Sequence, residues 1–203
     1  MSHGIYASIL SATGVEADRA TPAKHIPNTV HYVYILVNCS GDLKFAFSEF
    51  LSVYAAGYYW RPDAIYLRTN ASPESLERAR SGAAGKYTRL LLQVLNLKIA
   101  KVKAPSQIRG GKPITVIEHK SDFVRVQAIR DHGGIYLDFD VHPLRDIAAI
   151  RESGFQAIVG RQKDDEINSG VFMSNRHSRM IELWAEGMHE AYDGEWSTHS
   201  NVS

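Results

Sequence analysis

Two acidic residues, Asp138 and Asp140, stand one position apart in the segment GGIYLDFDVHPL. If residues 135–141 form a strand, side-chain alternation places both carboxylates on one face. Two carboxylates about 7 Å apart along a strand can converge on one hard divalent cation such as Mn²⁺ or Mg²⁺. The pair therefore predicts a cation site for a phosphorylated ligand. Alternatively, an Asp-x-Asp triplet on an exposed strand only keeps that strand soluble.

The segment SDFVRVQAIRDHGG, directly before this pair, has the pattern of a helix. Ser121 is a suitable N-cap, and Gly133 and Gly134 suit a helix end. A helix about 17 Å long, followed by a strand that returns over the same distance, brings the helix start back to the acidic pair. We therefore expect Asp122 and Arg125, three residues apart on one side of the first turn, to lie there.

This convergence predicts a site for a sugar nucleotide. Arginine binds phosphate or sugar oxygens, and aspartate accepts hydrogen bonds from hydroxyl groups. The alternative is an ion pair between Asp122 and Arg125 on a solvated helix face. By alternation, Tyr136 and His142 share the face of the aspartates, and for His142 both a ligand role and a plain polar role stay open.

The segment HKSDFVRVQAIRDHGGIYLDFDV resembles the signature of glycosyltransferase family 32, whose sugar-binding region contains the DXD motif and which includes yeast-type mannosyltransferases. It is also similar to the catalytic domain of the clostridial glucosylating toxins. Two further segments, IPNTVHYVYIL and INSGVFMSNRHSRM, resemble the family's first strand and the segment after its metal site. The resemblance spans residues 26–200.

The resemblance implies roles for the residues of the central segment. Asp140 would be the principal metal ligand, and Asp138 would help to hold the metal and contact the sugar or ribose. Asp122 would hydrogen-bond to donor hydroxyls, and Arg125 would contact the donor sugar or its phosphate. Asp138, Asp140 and Arg125 form the predicted catalytic set.

The remaining predicted substrate-binding residues lie outside that helix. Tyr34 occupies the place where relatives carry a tryptophan that stacks on the nucleotide base, and tyrosine keeps an aromatic face there. Asn168 would line the sugar side of the pocket. Val33 and Tyr136 complete the set.

As a whole, the resemblance implies a retaining glycosyltransferase that requires Mn²⁺ or Mg²⁺. The enzyme would transfer a hexose from a nucleoside diphosphate sugar, GDP-mannose first or UDP-glucose second, to an unidentified glycan, lipid or protein acceptor. The implied fold is of the GT-A type, a Rossmann-like, mostly parallel sheet flanked by helices. It would occupy residues 26–203, with its C-terminal part missing, after a poorly ordered N-terminal extension at residues 1–25.

Two other functions stay open. One is a non-catalytic remnant that still binds a sugar nucleotide or a metal, because relatives continue beyond the point where this chain ends. The other is a phosphatase of the haloacid dehalogenase type, with Asp138 as nucleophile, Asp140 as acid/base, and Asp164 and Asp165 as a later acidic pair. The late position of Asp140 in the chain disfavours the phosphatase.

Strand and helix patterns alternate along the chain, which predicts an α/β fold with a mostly parallel sheet and a site at the carboxyl ends of its strands. Three phenylalanines of the first helical segment, Phe45, Phe47 and Phe50, are interpreted as core residues. The predicted strands are residues 30–37, 63–68, 99–102, 135–141, 157–160 and 170–174. Besides the helix before the acidic pair, the predicted helices are residues 44–58, 73–80, 87–94, 144–151 and 178–192.

Composition limits the remaining choices. A chain of 203 residues, 44% apolar and 22% charged, predicts one compact domain. A net charge of +1 gives no bulk attraction to nucleic acid or acidic membranes, and the single cysteine, Cys39, excludes an internal disulfide. No apolar run reaches membrane-spanning length, and the first 25 residues lack a signal-peptide core. The location stays open: the resemblance implies the Golgi lumen if a membrane anchor precedes the chain, as in many fungal relatives, and the cytoplasm otherwise.

Overall fold

The structure, a computed structural model, describes residues 25–161 and 167–195 and contains one six-stranded sheet with helices on both faces. The strands are β1 (Thr29–Tyr34), β2 (Ala64–Thr69), β3 (Leu97–Lys101), β4 (Gly134–Leu137), β5 (Ala157–Arg161) and β6 (Ile167–Ser174). The helices are α1 (Phe47–Trp60), α2 (Pro73–Ser81), α3 (Lys86–Leu92), α4 (Ile117–His132), α5 (Ala148–Arg151) and α6 (Arg179–Ala191). No helix in the described ranges is both long and apolar enough to cross a bilayer.

Two predictions fall on parts of the chain that lie outside the described residues. Of the predicted N-terminal extension, residues 1–25, only His25 is described. Asp164 and Asp165, the second acidic pair of the phosphatase alternative, lie outside as well.

The strands lie in the order β3-β2-β1-β4-β6-β5. Neighbouring strands from β3 to β4 are parallel, and β6 runs antiparallel to both of its neighbours, so the predicted mostly parallel sheet is confirmed. The strand order reverses between β1 and β4, because the chain first builds the sheet toward β3 and later toward β5. In open α/β sheets, such a reversal leaves a crevice at the carboxyl ends of the two central strands.

Each face of the sheet buries its own apolar core. On one face, Val30 and Tyr32 of β1 pack with residues of α1, α2 and α3. On the other face, Val33 of β1 and Tyr136 of β4 pack with residues of α4 and α6. Alternation along β1 therefore fixes α1 and α4 on opposite sides of the crevice.

The strand that precedes the acidic pair is shorter than predicted. β4 ends at Leu137, and residues 139–140 form a turn that is closed by a hydrogen bond of 3.1 Å from the Val141 amide to the Asp138 carbonyl oxygen. The prediction that Asp138 and Asp140 extend from one continuous strand is therefore wrong. Both residues still lie at the carboxyl end of β4, where the turn directs them.

Helix α4 begins one turn earlier than predicted, at Ile117. Ser121 is not an N-cap, since its hydroxyl donates to the Ile117 carbonyl oxygen at 3.3 Å within the helix. Ile117 packs against the apolar core below α4, and this contact explains why the helix extends beyond the capping signal.

Two glycines join α4 directly to β4. Gly133 and Gly134 have φ angles of 67° and 107°, a region that favours glycine. A Cβ atom at Gly134 would clash with the backbone oxygen of Thr29 in β1. The glycine pair thus allows α4 to turn into β4 while β4 pairs closely with β1.

A buried histidine supports this junction from β1. The Nδ1 atom of His31 accepts a hydrogen bond of 3.1 Å from Arg68 Nε, so the Nε2–H group donates to the Gly133 carbonyl oxygen, also at 3.1 Å. The rings of Tyr66 and His132 stack near His31, with centroid distances of 5.5 and 6.3 Å. Burial, with the charge of Arg68 as the next cause, lowers the pKa of His31 to about 3.

This histidine predicts a pH dependence of stability. An unfolded histidine has a pKa of about 6.5, so between that pH and about 3 the unfolded chain binds one proton more than the folded chain at this site. Stability is therefore lost as the pH falls, by about 1.4 kcal/mol per pH unit. Urea unfolding at pH 7 and pH 5 should show that the wild type loses about 2 kcal/mol more than His31→Gln.

The exposed His25 provides a matched control, because His25→Gln makes the same change outside the core. This control variant should keep the wild-type pH dependence. Equal losses between pH 7 and pH 5 in the wild type and His31→Gln would contradict the neutral, buried state of His31.

Candidate active site

A cavity of about 330 Å³ lies at the carboxyl ends of β1 and β4, where the strand order reverses. Its walls come from the first turns of α4, from β1, β4 and β6, and from the residue that follows β4. The lining residues are Val33, Glu118, His119, Ser121, Asp122, Arg125, Tyr136, Asp138 and Ser169. Five of the residues that the sequence predicts for the site are among them.

Arg125 is the charged centre of this cavity, with only 9% of its side chain exposed. It forms ion pairs with Asp122, one helical turn before it, and with Asp138, where Nη1 lies 3.2 Å from Oδ1 and 3.3 Å from Oδ2. Its Nη2 atom also donates to the Ser169 hydroxyl at 3.3 Å. The structure thus brings Asp122 and Arg125 beside Asp138, as the sequence predicts.

Tyr136 forms the floor below the arginine. The guanidinium carbon of Arg125 lies 5.2 Å from the centroid of the Tyr136 ring, and the Tyr136 hydroxyl donates to Asp138. Burial raises the pKa of Tyr136 well above its ordinary value, so this phenol stays protonated and remains a donor. The pKa of Arg125, which burial alone would lower, is raised because Tyr136, Asp122 and Asp138 together outweigh that effect.

Asp138 is half-buried, and its environment opposes its negative charge. Burial is the main cause that raises the pKa of Asp138, and the charge of Asp140 adds to it, while Arg125 acts in the opposite direction. The interaction with Asp140 means that the two acidic residues are close enough to repel each other. A bound cation would relieve this repulsion.

The described lining carries more acidic than basic groups. Glu118, Asp122 and Asp138 face a single arginine, Arg125. Such a cavity suits sugar hydroxyls and cations, which donate hydrogen bonds or carry positive charge. A diphosphate group would be repelled unless a cation accompanied it.

Asp140 lies in the turn after β4, exposed and beyond the cavity lining. Among the described residues, no hydrogen bond or ion pair to its carboxylate is found. The Asp140 carbonyl oxygen lies 3.1 Å from Nδ1 of His142, whose Nε2 lies 3.3 Å from the Ser48 hydroxyl at the start of α1. Because both ring nitrogens of His142 contact protein atoms, the structure favours the polar role for this histidine over the ligand role.

Phe139 anchors the turn between the two acidic residues. Its ring packs against Tyr32 and Phe45 on the α1 side of the sheet, with centroid distances of 4.9 and 5.1 Å. Because Phe139 is held in that core, the residues on either side of it stay at the sheet edge.

The two aspartates fit a cation that binds together with a phosphate ligand. Within residues 25–161 and 167–195, no group of three histidine, cysteine, aspartate or glutamate residues could hold a metal ion by itself. Mg²⁺ and similar ions on phosphate ligands commonly use one or two carboxylates, and phosphate oxygens and water complete the coordination. Asp138 and Asp140 provide this number of carboxylates.

Tyr34 lies on the other side of β1 from the cavity. Its ring packs against Phe45 at a centroid distance of 4.7 Å, and its hydroxyl donates to the Lys44 carbonyl oxygen at 3.3 Å. The structure does not bring Tyr34 to the Arg125 cluster, which is Arg125 with its ion-pair partners Asp122 and Asp138. The neighbouring residue Val33 does line the cavity. The stacking role of Tyr34 stays a prediction.

Several lining residues are absent from the sequence-based site. Glu118, His119 and Ser121 were missed because the start of α4 was placed one turn too late. Glu118 precedes Asp122 by one turn, so an earlier start would have placed it on the same side of the helix. In β6, the sequence predicted Asn168 for the site, and only the backbone of this residue is described. Its neighbour Ser169, which lines the cavity, was not predicted.

Comparison with known proteins places the chain in a family. Residues 24–156 match the family described as glycosyltransferase sugar-binding region containing DXD motif, and the chain belongs to this family. Family membership agrees with the resemblance seen in the sequence and decides against the phosphatase.

Two relatives illustrate the likeness. The chain is 26% identical over 190 residues to glucan organizing enzyme 1 of Cryptococcus neoformans var. grubii serotype A, an alignment that covers 87% of this chain and 48% of the relative. The chain thus spans about half the length of this curated relative. The fold of this chain is similar to that of the PaToxG glycosyltransferase, with a TM-score of 0.56 and 15% identity. The superposition covers 83% of this chain and 62% of the PaToxG chain. The predicted GT-A-like α/β fold is confirmed.

The buried ion cluster predicts a large cost for removing its arginine. Arg125→Met removes the buried ion pairs with Asp122 and Asp138, and we expect the free energy of unfolding to fall by about 3 kcal/mol. Urea unfolding at pH 7 measures this loss.

Arg130 on the same helix provides the control. Arg130→Met removes an ion pair with Glu182 in which the Nε and Oε2 atoms are 2.8 Å apart and the two side chains are 23% and 24% exposed. This loss should cost about 1 kcal/mol or less, because water screens the pair more than it screens Arg125. Equal losses in the two variants would show that the Arg125 cluster is no stronger than a surface ion pair.

Proposed function

We propose that the protein is a glycosyltransferase that transfers a hexose from a nucleoside diphosphate sugar to an acceptor hydroxyl. The observation that carries this proposal is the Arg125 cluster inside a cavity at the reversal point of the sheet. The volume of about 330 Å³ lies within the range of small-ligand sites. Membership in the DXD family supports the same function.

The residues of the cluster would hold the donor sugar. Asp122 and Asp138 accept hydrogen bonds from sugar hydroxyls, while Arg125 donates to a sugar or phosphate oxygen. Because Asp122 and Asp138 both contact Arg125, their positions are fixed before the donor binds. The apolar surfaces of Val33 and Tyr136 exclude water from one side of the sugar.

Asp140 and Asp138 would hold Mn²⁺ or Mg²⁺ in this proposal. When bound, the ion would neutralise the negative charge that builds up on the departing diphosphate. Two observations support this placement: the Asp140 carboxylate is exposed, and the acidic lining repels a diphosphate that lacks a cation.

We propose that the reaction retains the configuration of the transferred sugar. The bond between the anomeric carbon and the phosphate oxygen breaks, and its electron pair stays with the diphosphate. The acceptor oxygen then bonds to the anomeric carbon on the same face, and its proton passes to the diphosphate. Asp122 and Asp138 contact Arg125, which disfavours either carboxylate as a covalent nucleophile and supports attack from the same face.

GDP-mannose is the first donor that we propose, and UDP-glucose is the second. The name of the Cryptococcus relative refers to glucan, a glucose polymer, and this supports the test of UDP-glucose beside GDP-mannose. The acceptor would be a glycan, lipid or protein hydroxyl.

An asparagine substitution tests the cation site. Asp140→Asn replaces a carboxylate by a weaker, neutral cation ligand. We expect Mn²⁺-dependent hydrolysis of GDP-mannose or UDP-glucose to fall by about a hundredfold or more, since the cation contributes several kcal/mol to such reactions. The melting temperature should stay unchanged, because Asp140 is exposed.

The matched control is Asp63→Asn, the same change in an exposed residue directly before β2, at the opposite end of the sheet. This control variant should keep wild-type hydrolysis. Full hydrolysis in Asp140→Asn would refute the metal role. If the wild type binds a donor but neither hydrolyses nor transfers it, the result favours the non-catalytic alternative.

A further inference from the structure

The outer side of α1 carries exposed aromatic side chains that the proposed donor site does not use. Phe47, Phe50, Tyr54 and Tyr58 recur every three or four residues, so they lie on one side of the helix. We call these four residues the α1 aromatic row. Phe47, Tyr54 and Tyr58 are 53%, 51% and 62% exposed, although the opposite side of α1 is already buried against the sheet. Contiguous exposed apolar surfaces are typical of interaction sites.

The rings of the row are evenly spaced. The centroid distances are 6.5 Å from Phe47 to Phe50, 5.8 Å from Phe50 to Tyr54, and 6.4 Å from Tyr54 to Tyr58. The ring planes of Tyr54 and Tyr58 differ by only 13°, so these two rings are nearly parallel. The helix is about 20 Å long, so the row can contact a ligand of several sugar units.

Along part of its length, the row forms one wall of a groove. The second wall includes Leu90 of α3 and Gln93 after it, and the groove has a volume of about 620 Å³. Gly57 and Val94 also line this groove. Gln93 and Arg61 are exposed and add hydrogen-bond donors at the groove.

The row begins beside the turn that carries Asp140. Ser48 follows Phe47, and its hydroxyl lies 3.3 Å from Nε2 of His142, whose Nδ1 lies 3.1 Å from the Asp140 carbonyl oxygen. A second contact joins the same segments, since the Ser52 hydroxyl donates to the Val141 carbonyl oxygen at 2.6 Å. The N-terminal end of the row therefore lies near the turn that carries Asp140, and the row leads away from this turn along α1.

We propose that the α1 aromatic row binds the acceptor glycan, a linear chain of sugars whose reacting end lies at the Asp140 turn. Aromatic faces carry partial negative charge, and the C–H groups on one face of a pyranose ring pack on them favourably. An uncharged glycan suits a row of four uncharged rings, with Gln93 and Arg61 available for hydroxyl groups. That the bound glycan is the acceptor of the reaction rests on the proposed function. Binding of the glycan itself needs neither donor nor turnover.

The test compares the wild-type chain with a Tyr54→Ala/Tyr58→Ala double variant. Isothermal titration calorimetry without donor measures the binding of two probes, glucose oligosaccharides from laminarin and linear mannose oligosaccharides. We expect the wild type to bind at least one probe and the double variant to bind it about tenfold more weakly, because two stacking contacts are lost. Phe155→Ala, which removes a 67% exposed ring from the loop before β5, should leave the affinity unchanged.

Three results would overturn the proposal. The wild type could bind neither probe at millimolar concentration, or the double variant could bind as tightly as the wild type while it keeps its melting temperature. Analytical ultracentrifugation could instead show a wild-type dimer that the double variant lacks, which would assign the row to a second copy of the chain. Donor hydrolysis is recorded separately, so that a failure of the donor site and a failure of the row are distinguished.

Discussion

The burial of Arg125 between two carboxylates is the constraint on which the candidate site depends. A guanidinium group with 9% side-chain exposure requires compensating charge, because an isolated buried charge is unstable. Asp122 supplies this compensation from α4, and Asp138 supplies it from the end of β4. The same ion pairs hold the helix start and the strand end together, so the charge cluster fixes both walls of the cavity.

The junction between α4 and β4 makes this arrangement possible. Gly133 and Gly134 allow the chain to reverse without a loop, and His31 binds the Gly133 carbonyl oxygen from the neighbouring strand. A longer connection would permit the helix to slide relative to the strand and would separate Arg125 from Asp138. The neutral state of His31 and the geometry of the site are therefore linked through one carbonyl group.

The turn after β4 divides the sheet edge into two sides with different chemistry. The acidic cavity around Arg125 lies on the α4 side, and the exposed aromatic row lies on the α1 side. Asp140 stands between them, in a turn that Phe139 anchors in the core below α1. In the proposed reaction, the donor sugar and the acceptor would approach this turn from the two sides.

The sequence predicted the convergence of Asp122, Arg125 and Asp138 because a helix that turns directly into a strand through two glycines returns the chain to the edge where the helix began. It did not predict where β4 ends, since a four-residue strand followed by a turn has the same apolar and polar pattern as a longer strand. The early start of α4 depends on the packing of Ile117, which local signals do not contain.

Tertiary structure also determines which aromatic residues are buried and which are exposed. Tyr34 was predicted to stack on the nucleotide base, and in the structure its side chain lies on the other side of β1 from the Arg125 cavity. Its stacking role stays a prediction. Phe45 is buried as predicted, whereas Phe47 is 53% exposed. Helical spacing places Phe47 on one side of α1 with Tyr54 and Tyr58, but spacing cannot show which of two apolar sides faces the sheet.

The proposed donor and cation sites are tested most directly by a crystal structure of the chain soaked with Mn²⁺ and a donor, GDP-mannose or UDP-glucose, with data collected to record the anomalous signal of manganese. We expect an anomalous peak between the carboxylates of Asp138 and Asp140, and the donor hexose within hydrogen-bonding distance of Asp122 and Arg125. A manganese peak away from both aspartates, or a donor bound outside the Arg125 cavity, would contradict the proposed sites.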